Sequence, residues 1–206
     1  IKTLQQELNI RYSQAEAAVK LIDEGNTIPF IARYRKEATG SLNDEVLRAL
    51  DERLRYLRNL EEKKEQVIGT IREQGKLTEE LERQIREAAT MVAVDDLYRP
   101  YRPKRRTRAM IAREKGLEPL AERIAAQELG RPALEEAADF VSEERGVADA
   151  AEALAGAMDI LAEQISDNAV YRTYIRRITT DQGQLQAAAK DAAKPSVYET
   201  YYQYQE

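Results

Sequence analysis

The chain has 206 residues, room for one or two domains, and 43% of them are hydrophobic, enough for a folded core and against wholesale disorder. It contains neither Cys nor His, which excludes disulfide scaffolds, thiolate and imidazole metal sites, cysteine nucleophiles and serine–histidine relays. The net charge of −5 hides an asymmetry: residues 99–108 hold six basic residues and no acid, so the other 196 carry −11, and an acidic chain with a sequence pI of about 5.2 does not coat nucleic acid with its whole surface.

Ala, Leu, Glu, Lys and Arg supply 107 residues, against nine Gly and six Pro. That composition predicts an all-α fold of long helices. A short helix from about Thr3 to Asn9 leads to a second that starts at Ser13, with Glu16 completing a capping box and Gly25 ending it. Ile28 to Glu37 reads as a third, with Pro29 in its first turn. Together these form a small helix-turn-helix-like subdomain over residues 1–40.

From Asn43 or Asp44 to Gln74 only Gly69 interrupts the helical pattern. Leu47, Leu50, Leu54, Leu57, Leu60, Val67 and Ile71 recur at three- and four-residue steps, and Asp44–Arg48 and Asp51–Arg55 add i,i+4 ion pairs. Thirty residues make a rod of about 45 Å. Its stripe needs a partner. An antiparallel helix from Glu79 to Val94, after a turn at Gly75–Lys76, is expected to cover Leu50, Leu54 and Leu57 with Leu81 and Ile85. A dimeric coiled coil is disfavoured because the heptad lapses at Lys64. This long helix and its partner make up residues 41–95.

After Val94 the periodicity stops. Helices resume at Thr107 or Arg108 to Gly116, around Pro119 to Leu129, from Pro132 to Arg145, from about Ala148 to Ile165, and from Asp167 to about Thr180. These and the preceding basic stretch form residues 96–182. Gly183 to Ala189 could make a short strand, and four tyrosines crowd the last nine residues, so residues 183–206 look like the start of a further domain. The architecture expected is an elongated multi-helix array with a long central helix of about 30 residues and an extended basic arm.

The arm is the strongest chemical feature. Pro100 and Pro103 bias the residues before them toward extended backbone, and a polyproline-II arm turns every three residues, rising about 9 Å. Arg99, Arg102 and Arg105 would then share one edge and Tyr98 and Tyr101 another, with Lys104, Arg106 and Arg108 close by. Arginines bind phosphates in bidentate fashion and tyrosines stack bases. The same composition also fits a strap pairing with the acidic helical body, and both readings stay open. A secondary basic cluster, Arg33, Arg35 and Lys36 around Tyr34, reads as solvated charge beside a core anchor made by Phe30 and Tyr34. Asp95–Asp96 reads as a helix-end turn paired with neighbouring arginines, not a metal site. No glycine-rich phosphate loop and no catalytic constellation occur. The reading is therefore of a non-enzyme with no cofactor and no metal. The longest apolar run, Met91 to Val94, is too short to cross a bilayer, and no signal peptide opens the chain, which points to the cytoplasm.

Three strings carry a family resemblance: Ile28-Pro-Phe-Ile-Ala-Arg-Tyr-Arg-Lys-Glu-Ala-Thr-Gly-Ser-Leu42, Asp95-Asp-Leu-Tyr-Arg-Pro-Tyr-Arg-Pro-Lys-Arg-Arg-Thr-Arg-Ala109 and Ala153-Leu-Ala-Gly-Ala-Met-Asp-Ile-Leu-Ala-Glu163. With the Tyr-rich end, they resemble the Tex family of bacterial transcription accessory proteins. The resemblance implies a fragment of a longer protein, in which a ribonuclease-H-like (YqgF) domain, helix-hairpin-helix elements and an OB-fold RNA-binding domain follow a helical region like this one. It also implies kinship with a eukaryotic transcription elongation factor that has histone-chaperone activity. The function implied is non-catalytic nucleic-acid binding (RNA or DNA), mainly through the missing domains, with the transcription machinery as a possible partner, no membrane, and a monomeric state. The competing reading is a helical scaffold and protein-docking module that uses the arm structurally.

Overall fold

The computed structural model describes residues 1–206 except 128, 192, 195, 203 and 206. The described residues are mostly helical, with eleven α-helices and one two-stranded sheet, and the chain divides into two compact units, Ile1–Val94 and Asp95–Glu206.

The first unit is built on α4 (Asp44–Glu73), the 30-residue helix expected from the leucine spacing. Asn43 caps it by accepting the Val46 N–H at 2.8 Å, and both predicted i,i+4 pairs, Asp44–Arg48 and Asp51–Arg55, are present. Its partner differs from the expectation. Leu47, Leu50 and Leu54 are buried with Leu4, Ala18, Val19, Ile31 and Leu42, so α1 (Lys2–Leu8), α2 (Tyr12–Asp23) and α3 (Ile28–Tyr34) cover the N-terminal half of α4. Each such leucine contributes about 1.5–3 kcal/mol of transfer free energy. The helix α5 (Glu79–Glu87), with Leu81 and Ile85 buried, instead lies along the C-terminal half, where Arg86 bonds Glu65 at 2.6 Å and Lys64 donates to the Arg86 carbonyl at 2.9 Å. Lys64, the break in the heptad, is thus a buried stem whose ammonium serves the end of α5, with Glu61 at 2.7 Å. A 45 Å rod is too long for one nine-residue helix to cover, which is why two sets of helices share it.

Other boundaries shift for local reasons. The second helix starts at Tyr12, one residue before Ser13, because Gln14 accepts the Arg11 N–H at 3.0 Å and does the capping expected of Glu16. The single partner helix Glu79 to Val94 is two: α5 stops at Glu87, and α6 (Met91–Tyr98) begins after a break at residues 88–90.

The second unit is organised around α10 (Ala150–Asp167), which contacts α7 (Arg108–Glu114), α8 (Glu118–Ala126) and α9 (Ala133–Ala138). Its core is small: Ala109, Ala112, Ala121, Ala137, Ala153 and Ala157 with Leu117, Leu120, Val147 and Ile160. Small side chains let the helices approach closely. At Gly156, inside α10, an added methyl would collide with Leu117. The predicted helix from Pro132 to Arg145 is only α9. Beyond it a turn at residues 142–147 closes in a bridge between Ser142 and Val147, and Val147 is fully buried. The helix α11 (Ala169–Gln182) follows, capped by Asn168, whose side-chain Oδ1 accepts the Val170 and Tyr171 N–H groups. The short strand expected in Gly183–Ala189 is β1 (Gln186–Ala187), antiparallel to β2 (Tyr204–Gln205).

Candidate nucleic-acid interface

The arm is not extended throughout. The helix α6 continues past Val94 to Tyr98, and Arg99–Tyr101 forms a 3₁₀ turn in which the Arg102 N–H bonds the Arg99 carbonyl at 3.3 Å. Pro100 sits at the start of that turn, where its missing N–H is not required. Only from Arg102 (φ −67°, ψ 132°) does the backbone leave helical geometry, until Thr107 caps α7 by accepting the Met110 N–H at 3.1 Å. The single polyproline-II edge shared by Arg99, Arg102 and Arg105 therefore does not form.

Most of the arm's cations are neutralised within their own unit. Arg99 donates to Asp167 at 2.9 Å, and the Lys104 ammonium bonds the other oxygen of the same carboxylate while lying 3.4 Å from Glu163. Asp167 and Glu163 sit four residues apart on α10, and their side chains are only 11% and 15% exposed. Glu163 also accepts from Thr107 at 3.0 Å and Arg113 at 2.7 Å. Burial alone would raise the Glu163 carboxyl, but the Arg113 and Thr107 hydrogen bonds and the nearby Lys104 and Arg113 charges outweigh it and hold its pKa below the ordinary value. Arg102 pairs with Asp95 at 3.1 Å and lies over the Tyr98 ring, 5.6 Å from its centroid. Arg106 pairs with Glu114 at 2.9 Å and Arg108 with Asp159 at 3.3 Å, both cations well exposed. Among the described residues Arg105 has no carboxylate partner. Tyr98 and Tyr101 are half-buried.

Asp95 pairs with a neighbouring arginine as expected, but Asp96 does not. It is buried and takes Arg172 at 2.6 Å and Arg176 at 2.7 Å, one guanidinium on each oxygen. Desolvation pushes its carboxyl up, the two arginines pull it further down, and the pKa ends below the ordinary value. Sequence reasoning thus gave Asp96 the wrong partners and passed over Glu163, Asp167, Arg172 and Arg176. Their readable signal is spacing: Glu163 and Asp167, like Arg172 and Arg176, are i,i+4 pairs on helices.

The secondary cluster lies in the first unit. There α3 ends at Tyr34, so Lys36 belongs to the following turn and not to a helical face shared with Arg33. Phe30 and Tyr34 do meet, with centroids 5.3 Å apart, but Tyr34 is 61% exposed and anchors no core.

Residues 1–72 match the Tex-like protein N-terminal domain, and residues 130–206 match the Tex central region-like family, through the Tyr-rich end. The chain carries the N-terminal and central regions of the Tex family. It is 43% identical over 203 residues to the Uncharacterized protein YdcI of Bacillus subtilis, covering 97% of this chain and 28% of that protein. To Protein tex of Bordetella pertussis it is 52% identical over 169 residues (82% of this chain, 21% of that protein). To the Transcriptional accessory protein Tex of Neisseria gonorrhoeae it is 51% identical over 168 residues, 82% of this chain and 22% of that protein. This Tex chain therefore spans between a fifth and three tenths of the length of those relatives. Among its described residues, no helix is long and apolar enough to cross a membrane.

Proposed function

We propose that this chain is a non-catalytic helical scaffold within a Tex-like transcription accessory protein of the cytoplasm, and that its basic arm works as a structural strap. One observation carries the reading: five of the six cations at residues 99–108 pair with carboxylates of their own unit, two of them at the shielded Glu163–Asp167 pair. A strap of this kind ties the start of the second unit to α10. Nucleic acid, RNA or DNA, is then bound mainly by regions of the longer protein, the RNA-binding and YqgF domains that the family resemblance implies, with this monomeric piece presenting surfaces to the transcription machinery.

A second reading has its own support. Arg105 is unpaired among the described residues, and the Arg106 and Arg108 side chains are 69% and 85% exposed. Exposed pairs contribute only about 0–1 kcal/mol each, so phosphates could replace Glu114 and Asp159 at small cost. The two readings separate in one experiment on Arg99→Glu/Lys104→Glu and Arg105→Glu/Arg108→Glu, by thermal unfolding and salt-titrated gel shift: the first pair tests the strap and the second the phosphate contacts. The strap predicts a lower Tm for Arg99→Glu/Lys104→Glu and unchanged binding for both variants. An unchanged Tm with loss of salt-dependent binding in Arg105→Glu/Arg108→Glu assigns the arm to nucleic acid instead.

A further inference from the structure

We propose that the turn closing α3 is a binding site for single-stranded nucleic acid, with Arg33, Arg35 and Lys36 on phosphates and Tyr34 as the base platform. The feature that distinguishes it from the arm is compensation. All four side chains are exposed, and none of the three cations has a carboxylate partner among the described residues. They line, with Glu37 and Ala38, an open depression of about 450 Å³, in which Glu37 is the one acid. The guanidinium of Arg11, the residue before α2, comes close enough to Gly40 that a side chain there would strike it.

The turn is also held firmly from beneath. Thr39 is fully buried, and its hydroxyl donates to the Arg35 carbonyl at 3.1 Å, with the Lys36 carbonyl at 3.4 Å. Gln14 donates to the Gly40 carbonyl at 2.9 Å and reaches that of Thr39 at 3.3 Å. Two consecutive residues, Gly40 (φ 58°) and Ser41 (φ 63°), adopt left-handed backbone, costly for a serine. Surface charge alone requires none of this. A clamp on the carbonyls of Arg35 and Lys36 fixes where their side chains emerge, which lowers the ordering cost of binding a charged ligand.

The aromatic pair decides the ligand class. Phe30 backs Tyr34, and the Arg35 guanidinium lies over the Phe30 ring, 5.3 Å from its centroid. Tyr34 thus meets Phe30 at a 46° tilt and keeps most of its own surface exposed. Cations flanking an open aromatic face suit an unstacked base with its phosphates, because any base offers a π-face. A duplex hides its base faces, and an acidic peptide gains little from the ring. The proposal stands apart from the strap reading, since arm and turn belong to different units.

The test uses the 206-residue chain and a fluorescein-labelled dT20 probe, read by anisotropy from low salt upward. Three phosphate contacts give a log–log salt slope of about −2 for a single strand. Arg33→Glu/Lys36→Glu should weaken binding at least about tenfold and bring the slope above about −1, and Tyr34→Ala should weaken it about 5- to 10-fold with the slope kept. Should the charge-reversal variant fail to fold by circular dichroism, Arg33→Ala/Lys36→Ala takes its place. Absence of salt-dependent binding by the parent, or unchanged binding by the folded variant, overturns the proposal. So does an unchanged Tyr34→Ala with poly-glutamate competing as well as dT20, which would make the turn an acidic-peptide site.

Discussion

Residues 33–36 and residues 99–108 each set cations around tyrosine, and their surroundings separate them. In the arm, acids arrive from three helices: Glu163 and Asp167 from α10, Asp159 one turn earlier on the same helix, Asp95 from α6 and Glu114 from α7. At the turn after α3 Glu37 is the one acid lining the depression, no carboxylate among the described residues pairs with the three cations, and side-chain hydrogen bonds hold the backbone instead. Local cation density is the higher in the arm, yet the less compensated charge is at the turn. Where the acids sit decides what a basic segment is free to do.

That contrast breaks first at Asp96, where the largest effect is expected. It is the buried member of a three-charge cluster with Arg172 and Arg176, and α11 buries no side chain of its own. Breaking a fully buried pair costs about 3–5 kcal/mol. Here the arginine side chains are 32% and 43% exposed and can rehydrate, so Asp96→Ala should cost about 2 kcal/mol, below that range once solvent screening is discounted. Thermal unfolding measures the loss, and amide exchange should show α11 losing protection before the rest of its unit. Unchanged protection in α11 would mean that its contacts with α10, not the ion cluster, hold it.

Acid titration probes the same asymmetry more gently. The Glu163 carboxyl is held below 4.5, its ordinary value. A depressed folded pKa means that the unfolded chain takes up the proton more readily. The contribution of Glu163 is therefore full above about pH 4.5 and is lost as pH falls through its lower folded value. Asp96, also depressed, behaves alike from 3.8 downward. Glu163→Gln should lower the Tm at pH 7 and flatten its fall between pH 5 and 3 relative to the parent, as seen by calorimetry at stepped pH. A parallel fall in both proteins would show that the strap carries none of the acid sensitivity.

What was legible in the sequence follows from the range of the forces involved. The starts of α4 and α7, the first-turn Pro29 and Pro119, the ion pairs along α4 and the short-range periodicity that sets its 30 residues all rest on local signals, and each was readable. The partner of Leu50 and Leu54 was not, because an apolar stripe specifies that it is covered but not by which helix. The arm failed in both ways. Pro100 suggested extended backbone but was accommodated at the head of a 3₁₀ turn, and the acids that neutralise Arg99 and Lys104 lie more than sixty residues away from one and about sixty from the other. Tyr34 read as a core anchor because its spacing from Phe30 is helical, and the helix ends there.

The smallest effect, and the finest test of the comparison, belongs to Arg105. It lies between Lys104, which is tied to α10, and Arg106, which is paired with Glu114, yet has no carboxylate partner among the described residues. If pairing rather than position makes the arm structural, Arg105→Glu should change stability by no more than about 0.5 kcal/mol, the range of surface substitutions that break no specific contact. Charge reversal at Arg99, one 3₁₀ turn and a few residues earlier, removes a bond to the shielded Asp167 carboxylate and sets two acids side by side, so its cost should be several times larger. Urea unfolding of the two variants, with equal m-values confirming a common transition, measures the difference. Equal destabilisation by both would mean that the arm responds to total charge, and that the mapping of individual cations onto individual carboxylates carries no energetic weight.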